Sequence, residues 1–376
     1  MTIQPDNNIL ILGGGLAGLT CAIHLRKSGI AVRVIEKNEF PQHKVCGEYI
    51  SNEVLPYLES LGIDISKLNP TLISKLQISD PEGKTIDCEL PLGGFGISRY
   101  ALDEFLYKRA IQLGCEFIKD TAAQVSFTED QFTVQTHSGA LLKAKFVIGA
   151  YGKRSNVDQK LSRSFILKKS PWLAVKAHYK GNFPDDLVAL HNFKGGYCGV
   201  SKVEDGSINI CYLTDYKSFK TFKNIEDFQK AVLYANPHLK EVFESCSCLF
   251  EQPMSISQVS FARKSPVSNH ILMIGDTAGL IHPLCGNGMA MAIHSAKICA
   301  ELLVRHFKNP NASRSMLEKQ YAQQWRSTFK GRLRIGRILA SVLRNEQIFK
   351  PLLELLVKFP SALPFIVKMT HGKTIQ

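Results

Sequence analysis

A glycine cluster, Gly13-Gly-Gly-Leu-Ala-Gly18, follows the apolar run Ile9-Leu-Ile-Leu12, and Val32-Arg-Val-Ile-Glu36 comes at the distance that one βαβ unit requires. Gly13 suits a tight turn after a strand, Gly15 lets backbone approach a pyrophosphate, and Gly18 lets a helix pack closely on the sheet. Leu16 and Ala17 open that helix, whose free N–H groups attract phosphate. Glu36 is placed to accept hydrogen bonds from an adenosine ribose, with Lys37 beside it. The pattern predicts a dinucleotide site without separating FAD from NAD(P). A second cluster runs from Leu272 to Met289. Asp276, at a strand end, can hold a ribityl hydroxyl, while Gly286, Asn287, Gly288 and Met289 open a helix whose N–H groups face an anionic ring edge. Between them, Lys44-Val-Cys-Gly-Glu-Tyr-Ile-Ser51 offers a thiol at Cys46 beside Gly47; its alternative role is a small packed residue. His191, His282 and His294 read as ordinary polar or packed residues.

These groups need a frame. A Rossmann unit is expected over 8–37, and Arg99 opens a helix with Leu102, Phe105, Leu106, Ala110 and Leu113 on one face. Gln131–His137 reads as β structure that turns at Ser138-Gly139 and continues to Gly149. Residues 160–260 alternate like strands, with one helix near Ile225–Tyr234. The expected fold is α/β: a Rossmann-type domain from 1–70, 97–155 and 265–310, an inserted mostly β substrate domain from 71–96 and 156–264, and a helical basic region over 311–376.

The net charge of +13 suits anionic partners, but no aromatic-plus-basic motif supports nucleic acid. Ten scattered cysteines without a C-x-x-C pair fit a reducing cytosol and no zinc site. Met1–Asn8 has no basic n-region, so no secretory signal is expected. In the tail, Leu333, Ile335, Ile338, Leu339, Val342 and Leu343 form an apolar stripe beside Arg332, Arg334, Arg337 and Arg344. Two readings stand: a helix lying on an anionic membrane surface, or one covering the nucleotide domain with its arginines in solvent. The chain is read as cytoplasmic, with a peripheral membrane position open.

The Gly275-Asp276 segment resembles that of FAD-dependent monooxygenases of the para-hydroxybenzoate hydroxylase type and of the geranylgeranyl reductase group. With the first glycine cluster and Arg99-x-x-Leu102-Asp103, the likeness covers residues 8–306. It implies FAD in a glutathione reductase-like fold, with Arg99 and Gly152 also at the cofactor. Cys46-Gly47-Glu48 is similar to the reductase loop beside the flavin, which makes Cys46 a candidate proton donor. Where the hydroxylases carry A-D-G-x-x-S-x-x-R, this chain has Tyr151 for the acid and Asp158 for the arginine, which questions direct NADPH or NADH reduction and leaves an external reductase open. The segment Phe193–Ser201 resembles the substrate hairpin over the flavin and marks Tyr197 and Gly199, with Pro283, as substrate contacts. Cys198-Gly199 replaces the bulk usual in the reductases, and the halogenases' W-x-W-x-I-P is absent. The leading expectation is a monooxygenase hydroxylating a lipophilic aromatic metabolite, a quinone precursor or polyketide-derived phenol, through a flavin C4a-hydroperoxide. Reduction of isoprenoid double bonds is the alternative, and a flavin electron carrier the third.

Overall fold

The computed structural model describes residues 9–309, 311–359 and 361–376. The Met1–Asn8 stretch lies outside the described residues, as do the side chains of Leu343 and Arg344.

The first sheet runs Val267–Ser268, Ile271–Met273, Phe146–Gly149, Ile9–Leu12, Val32–Glu36, Glu116–Lys119. Its inner pairings are parallel, with Ile9 between Phe146 and Val32. Ile9–Leu12 and Phe146–Gly149 are buried throughout, so they read as unbroken apolar runs rather than alternation. The helix Leu16–Lys27 packs between Arg99–Gln112 and Gly288–Lys308. It sits so tightly on the first turn that a Cβ on Gly18 would lie 2.0 Å from the Gly13 carbonyl oxygen.

Among the described residues the second sheet has nine strands, most of them antiparallel, built around Trp172–Lys180, Ile208–Asp215, Gly196–Lys202, Leu187–Phe193, Thr71–Ser79 and Thr85–Gly96. Tyr49–Ser51, which follows the first βαβ unit, pairs at its edge, Tyr49 opposite Gly96. Helices cover one face around Phe228 and Leu239. Where one helix was expected near Ile225–Tyr234 there are two, Ile225–Val232 and Pro237–Ser245. Asn236 restarts the helix: its side chain accepts from the His238 and Leu239 N–H groups, and Pro237 takes the first helical position. The run from Leu141 to Gly149 also divides, Leu141–Ala144 joining a three-stranded meander and Phe146–Gly149 the first sheet.

Three helices, Arg314–Arg344, Glu346–Lys358 and Ala362–Thr370, close the chain. Leu317, Tyr321, Trp325 and Phe329, four apart, are buried in the main core. The expectation of solvent-facing arginines fails at Arg332, which pairs with buried Glu53 at 3.1 Å and donates to Asn287 Oδ1 at 3.2 Å. Among the described residues no helix is long and apolar enough to cross a membrane. Because Phe329 is fully buried, Phe329→Ala should destabilise the protein by about 3–5 kcal/mol, seen as a lowered urea midpoint.

Candidate active site

Two helix N-termini lie on either side of Gly275, and one of them meets two cations. Gly15 caps Leu16–Lys27 in an extended conformation, with no side chain bonded to the free N–H groups and no acid in the first turn. Gly288–Lys308, after Asn287, likewise starts with no side-chain cap and no acid in its first turn. Both close on Gly275, where a Cβ would meet Ala17 at 2.9 Å and Ala292 at 3.7 Å. A Cβ on Gly15 would instead point toward Arg99 Nη2 and Lys44 Nζ, 3.7 and 3.8 Å away. Asp103 holds both cations, Arg99 through two bonds of 2.8 and 2.7 Å and Lys44 at 3.0 Å. Burial pushes the Asp103 carboxyl up, but Arg99 and Lys44 overcome it and keep its pKa below the usual range. One carboxylate against two cations leaves a positive surplus in front of the uncapped Gly15 helix end, which is the chemistry of a pyrophosphate cradle.

The other predicted residues surround this cradle. Gly13 has φ +110°, and a Cβ there would stand 2.5 Å from the Ala150 oxygen. Leu16, Ala17 and Met289 are buried. Glu36 Oε2 accepts from the Gly14 N–H at 2.7 Å and Oε1 from Asn38 at 3.0 Å, which leaves lone pairs for a ribose. Lys37 is exposed past the strand end. Gly152 donates to Thr277 Oγ1 at 2.9 Å and so ties its loop to that of Asp276. The Asp276 carbonyl accepts from Lys264 at 2.8 Å, and Lys264 also reaches Lys153 O at 3.0 Å. Burial lowers the Lys264 pKa to about 8. Lys153 in turn donates to Val45 O at 3.1 Å, next to Cys46.

Cys46 is half-buried, and its carbonyl accepts from Asn209 Nδ2 at 3.3 Å. Its side chain lies in the neighbourhood of Arg99, Tyr197 and Cys211. A Cβ on neighbouring Gly47 would meet nothing within 4 Å. Glu48 is fully buried with φ +53°, and its carboxylate gathers the Arg99 N–H at 2.8 Å, Lys176 Nζ at 2.8 Å and His178 Nε2 at 2.6 Å. Burial works to raise its pKa, but the His178 hydrogen bond and the Lys176 and His178 charges prevail and hold it below the usual range. Neither Lys176 nor His178 was among the residues expected from sequence.

Alternation along the second sheet explains what faces the cofactor segments. Leu173, Val175 and Ala177 join the helix-covered core. Trp172 and Ala174 look the other way and form an apolar layer with Tyr197, Leu213, Val259, Leu280 and Leu284. Leu280 and Leu284 come from the Asp276–Gly286 segment, and Val45 from the Cys46 loop packs on the same layer. Gly199 lies on the same side as Tyr197, and a Cβ there would meet Cys211 O at 3.6 Å and Leu190 at 3.7 Å, ordinary contact distances that place no clash at this position. Cys198 points into the opposite core. Pro283 is exposed, although its neighbour Leu284 belongs to the apolar layer. Asp158 forms a buried pair with Arg163 at 2.8 Å, and that guanidinium also donates to Thr277 O and Ser265 O, both at 2.9 Å. Arginine is thus restored to this region five residues later, spent on fixing the cofactor loop.

Gly47 faces open space, Gly15 faces Arg99 and Lys44 without a clash, two helix ends present unclaimed N–H groups, and the two cations supply countercharge, so these residues fit FAD. Its pyrophosphate would be held by Gly15–Ala17 and Arg99, its ribose by Glu36, its ribityl chain by Asp276, and its ring by Cys46-Gly47 and Gly286–Met289. The site and fold define an FAD-dependent oxidoreductase. The chain belongs to the FAD binding domain family, whose model matches residues 6–329. It is 24% identical over 337 residues to a digeranylgeranylglycerophospholipid reductase of Methanosarcina acetivorans, covering 85% of this chain and 81% of the relative. A menaquinone reductase of Mycobacterium tuberculosis is 23% identical over 323 residues, covering 81% and 78%. Among solved structures, a flavin-dependent brominase superposes with a TM-score of 0.78 at 18% identity, covering 96% of this chain and 93% of that one, a likeness of fold alone.

Proposed function

We propose that the protein is an FAD-dependent reductase that saturates carbon–carbon double bonds of a long isoprenoid lipid. The observation that carries this reading is the junction of a buried charged cluster, Glu48–Lys176–His178, with an apolar layer on the same sheet face, bridged by the loop that carries Cys46 and reaches the layer through Val45 and the cluster through Glu48. The two reductase relatives, whose names specify lipidic substrates, point the same way.

Bound FAD, once reduced, supplies a hydride. The chain's residues then have three tasks. Trp172, Leu213, Leu280 and Leu284 exclude water and hold a hydrocarbon chain by apolar contact. Gly199 gives that chain width next to Tyr197. Cys46 holds the proton that the second alkene carbon needs, with Glu48 anchoring its loop through three hydrogen bonds from distant elements.

Cys46→Ser tests the proton assignment. Turnover should fall on the order of 100-fold, within the range of general acid catalysis, while FAD content and substrate KM stay near wild type. Undiminished turnover would remove the thiol from the mechanism. Hydroxylation of an aromatic lipid is a second reading, favoured by the rings of Trp172, Tyr197, Phe261 and His282, whose centroids lie 4.7–6.2 Å apart in tilted and edge-on pairs.

A further inference from the structure

We infer that the helices Glu346–Lys358 and Ala362–Thr370 form a docking face for an anionic lipid bilayer. The sequence of the first carries more apolar surface than the protein covers. Phe349, Leu353 and Leu356, spaced i, i+4, i+7, are buried on the Thr85–Gly96 strand in one cluster with Ile86 and Leu363. Ile348, Leu352, Leu355 and Phe359 follow the adjacent face at i, i+4, i+7, i+11, and there Ile348 is 51%, Leu355 52% and Phe359 60% exposed. In the second helix Leu363 and Val367 are buried, whereas Phe365 is 64% exposed and Met369, four residues on, 37%. Both helices sink one side into the same cluster, so both outer sides look away from the same strand.

Charge selects the occupant. Residues 331–376 hold eight lysines and arginines against two glutamates, with Lys350, Lys358 and Lys368 on the two helices and Arg334 and Arg337 on the helix before them. Lys358 and Lys368 are exposed at the ends of the two apolar stripes. An apolar stripe bordered by lysines matches the headgroup–acyl boundary of an anionic membrane, where the rings and aliphatic chains enter the interface and the ammonium groups meet phosphates. A soluble acidic partner would satisfy the charge but not five large exposed apolar side chains.

The face is also joined to the cofactor site. Immediately after the second helix, His371 stacks edge-on with Tyr49, at 6.3 Å between centroids, and Tyr49 lies against Gly286. The Gly372 N–H donates to Glu53 Oε2 at 2.6 Å, the carboxylate that also holds Asn287 at 3.1 Å. A bilayer on this face would therefore lie against the elements that brace the flavin-facing helix start, which suits delivery of a lipid substrate. The inference extends the proposed chemistry, but vesicle binding is read without turnover, so either can fail alone.

The test is co-sedimentation of FAD-loaded protein with vesicles of phosphatidylcholine alone and of phosphatidylcholine with phosphatidylglycerol. Wild type should bind the anionic vesicles, release with salt, and bind neutral vesicles weakly. The triple variant Leu355→Glu, Phe359→Glu and Phe365→Glu should lose at least about tenfold in binding while keeping its flavin spectrum and melting temperature, since all three side chains are exposed. Unchanged binding by the variant, or none by wild type, would overturn the proposal. So would a concentration-dependent dimer that the same substitutions dissolve, because the face would then belong to a second copy of the chain.

Discussion

Replacing Gly15 by valine leaves a folded protein that no longer retains FAD. The backbone at Gly15 is extended, at φ −81° and ψ −178°, a conformation valine adopts readily, and the nearest atoms to a new Cβ are 3.7 Å away. The apo chain therefore has no clash to relieve. The branched side chain instead fills the space between the helix N-terminus and the Arg99 and Lys44 cations, where the pyrophosphate would sit. FAD affinity should fall on the order of 100-fold or more, about 2.7 kcal/mol, measured as flavin stoichiometry after gel filtration and by calorimetric titration. Gly18→Ala is the control with the opposite signature. Its Cβ would be driven against the Gly13 oxygen, so stability is lost together with the cofactor. A Gly15→Val protein that keeps stoichiometric FAD would show the phosphates to lie elsewhere.

Glu48→Gln carries the second large effect. It leaves Lys176 buried with no opposing charge, and breaking a buried pair from one side costs about 3–5 kcal/mol. Adding Lys176→Met removes the stranded charge and should recover much of that loss, a compensation that separates electrostatics from packing. The pH dependence has a fixed sign. Glu48 is depressed in the folded state, so its contribution is complete above the unfolded carboxylate pKa of about 4.3 and is lost as pH falls through the lower folded value. Wild type should therefore lose stability between about pH 6 and pH 3 by more than Glu48→Gln does. Urea midpoints at the two pH values give the comparison, and parallel losses would contradict the role assigned to Glu48.

What could be read from the sequence follows the range of the interactions. The first βαβ unit, Asp276 and the Gly286–Met289 helix start are local patterns in which strand, turn and helix lie within a few tens of residues. Glu48 was visible only as a member of a loop motif, because its partners Lys176 and His178 lie 128 and 130 positions away. On Trp172–Tyr179 the alternation of Lys176 and His178 with apolar residues resembles a strand with one wet face, yet all eight residues are buried. Closure of the Cys46–Glu48 loop over that sheet, together with the rings of His43 and Phe250 against His178, converts the polar face into an interior one. Arg332 was misplaced for a related reason: its partner, Glu53, sits 279 residues earlier, and helical periodicity alone puts an arginine in solvent. The tail's apolar excess was legible, but the division into a buried stripe at Phe349, Leu353 and Leu356 and an exposed one at Ile348, Leu355 and Phe359 required the strand beneath it.

The reductase reading and the hydroxylase reading differ by a mass. Lipid extracts from cells carrying wild type or the cofactor-free Gly15→Val variant, compared by mass spectrometry, should differ by a wild-type-only product two hydrogens heavier than its precursor. A wild-type-only product heavier by one oxygen would contradict the account and establish hydroxylation.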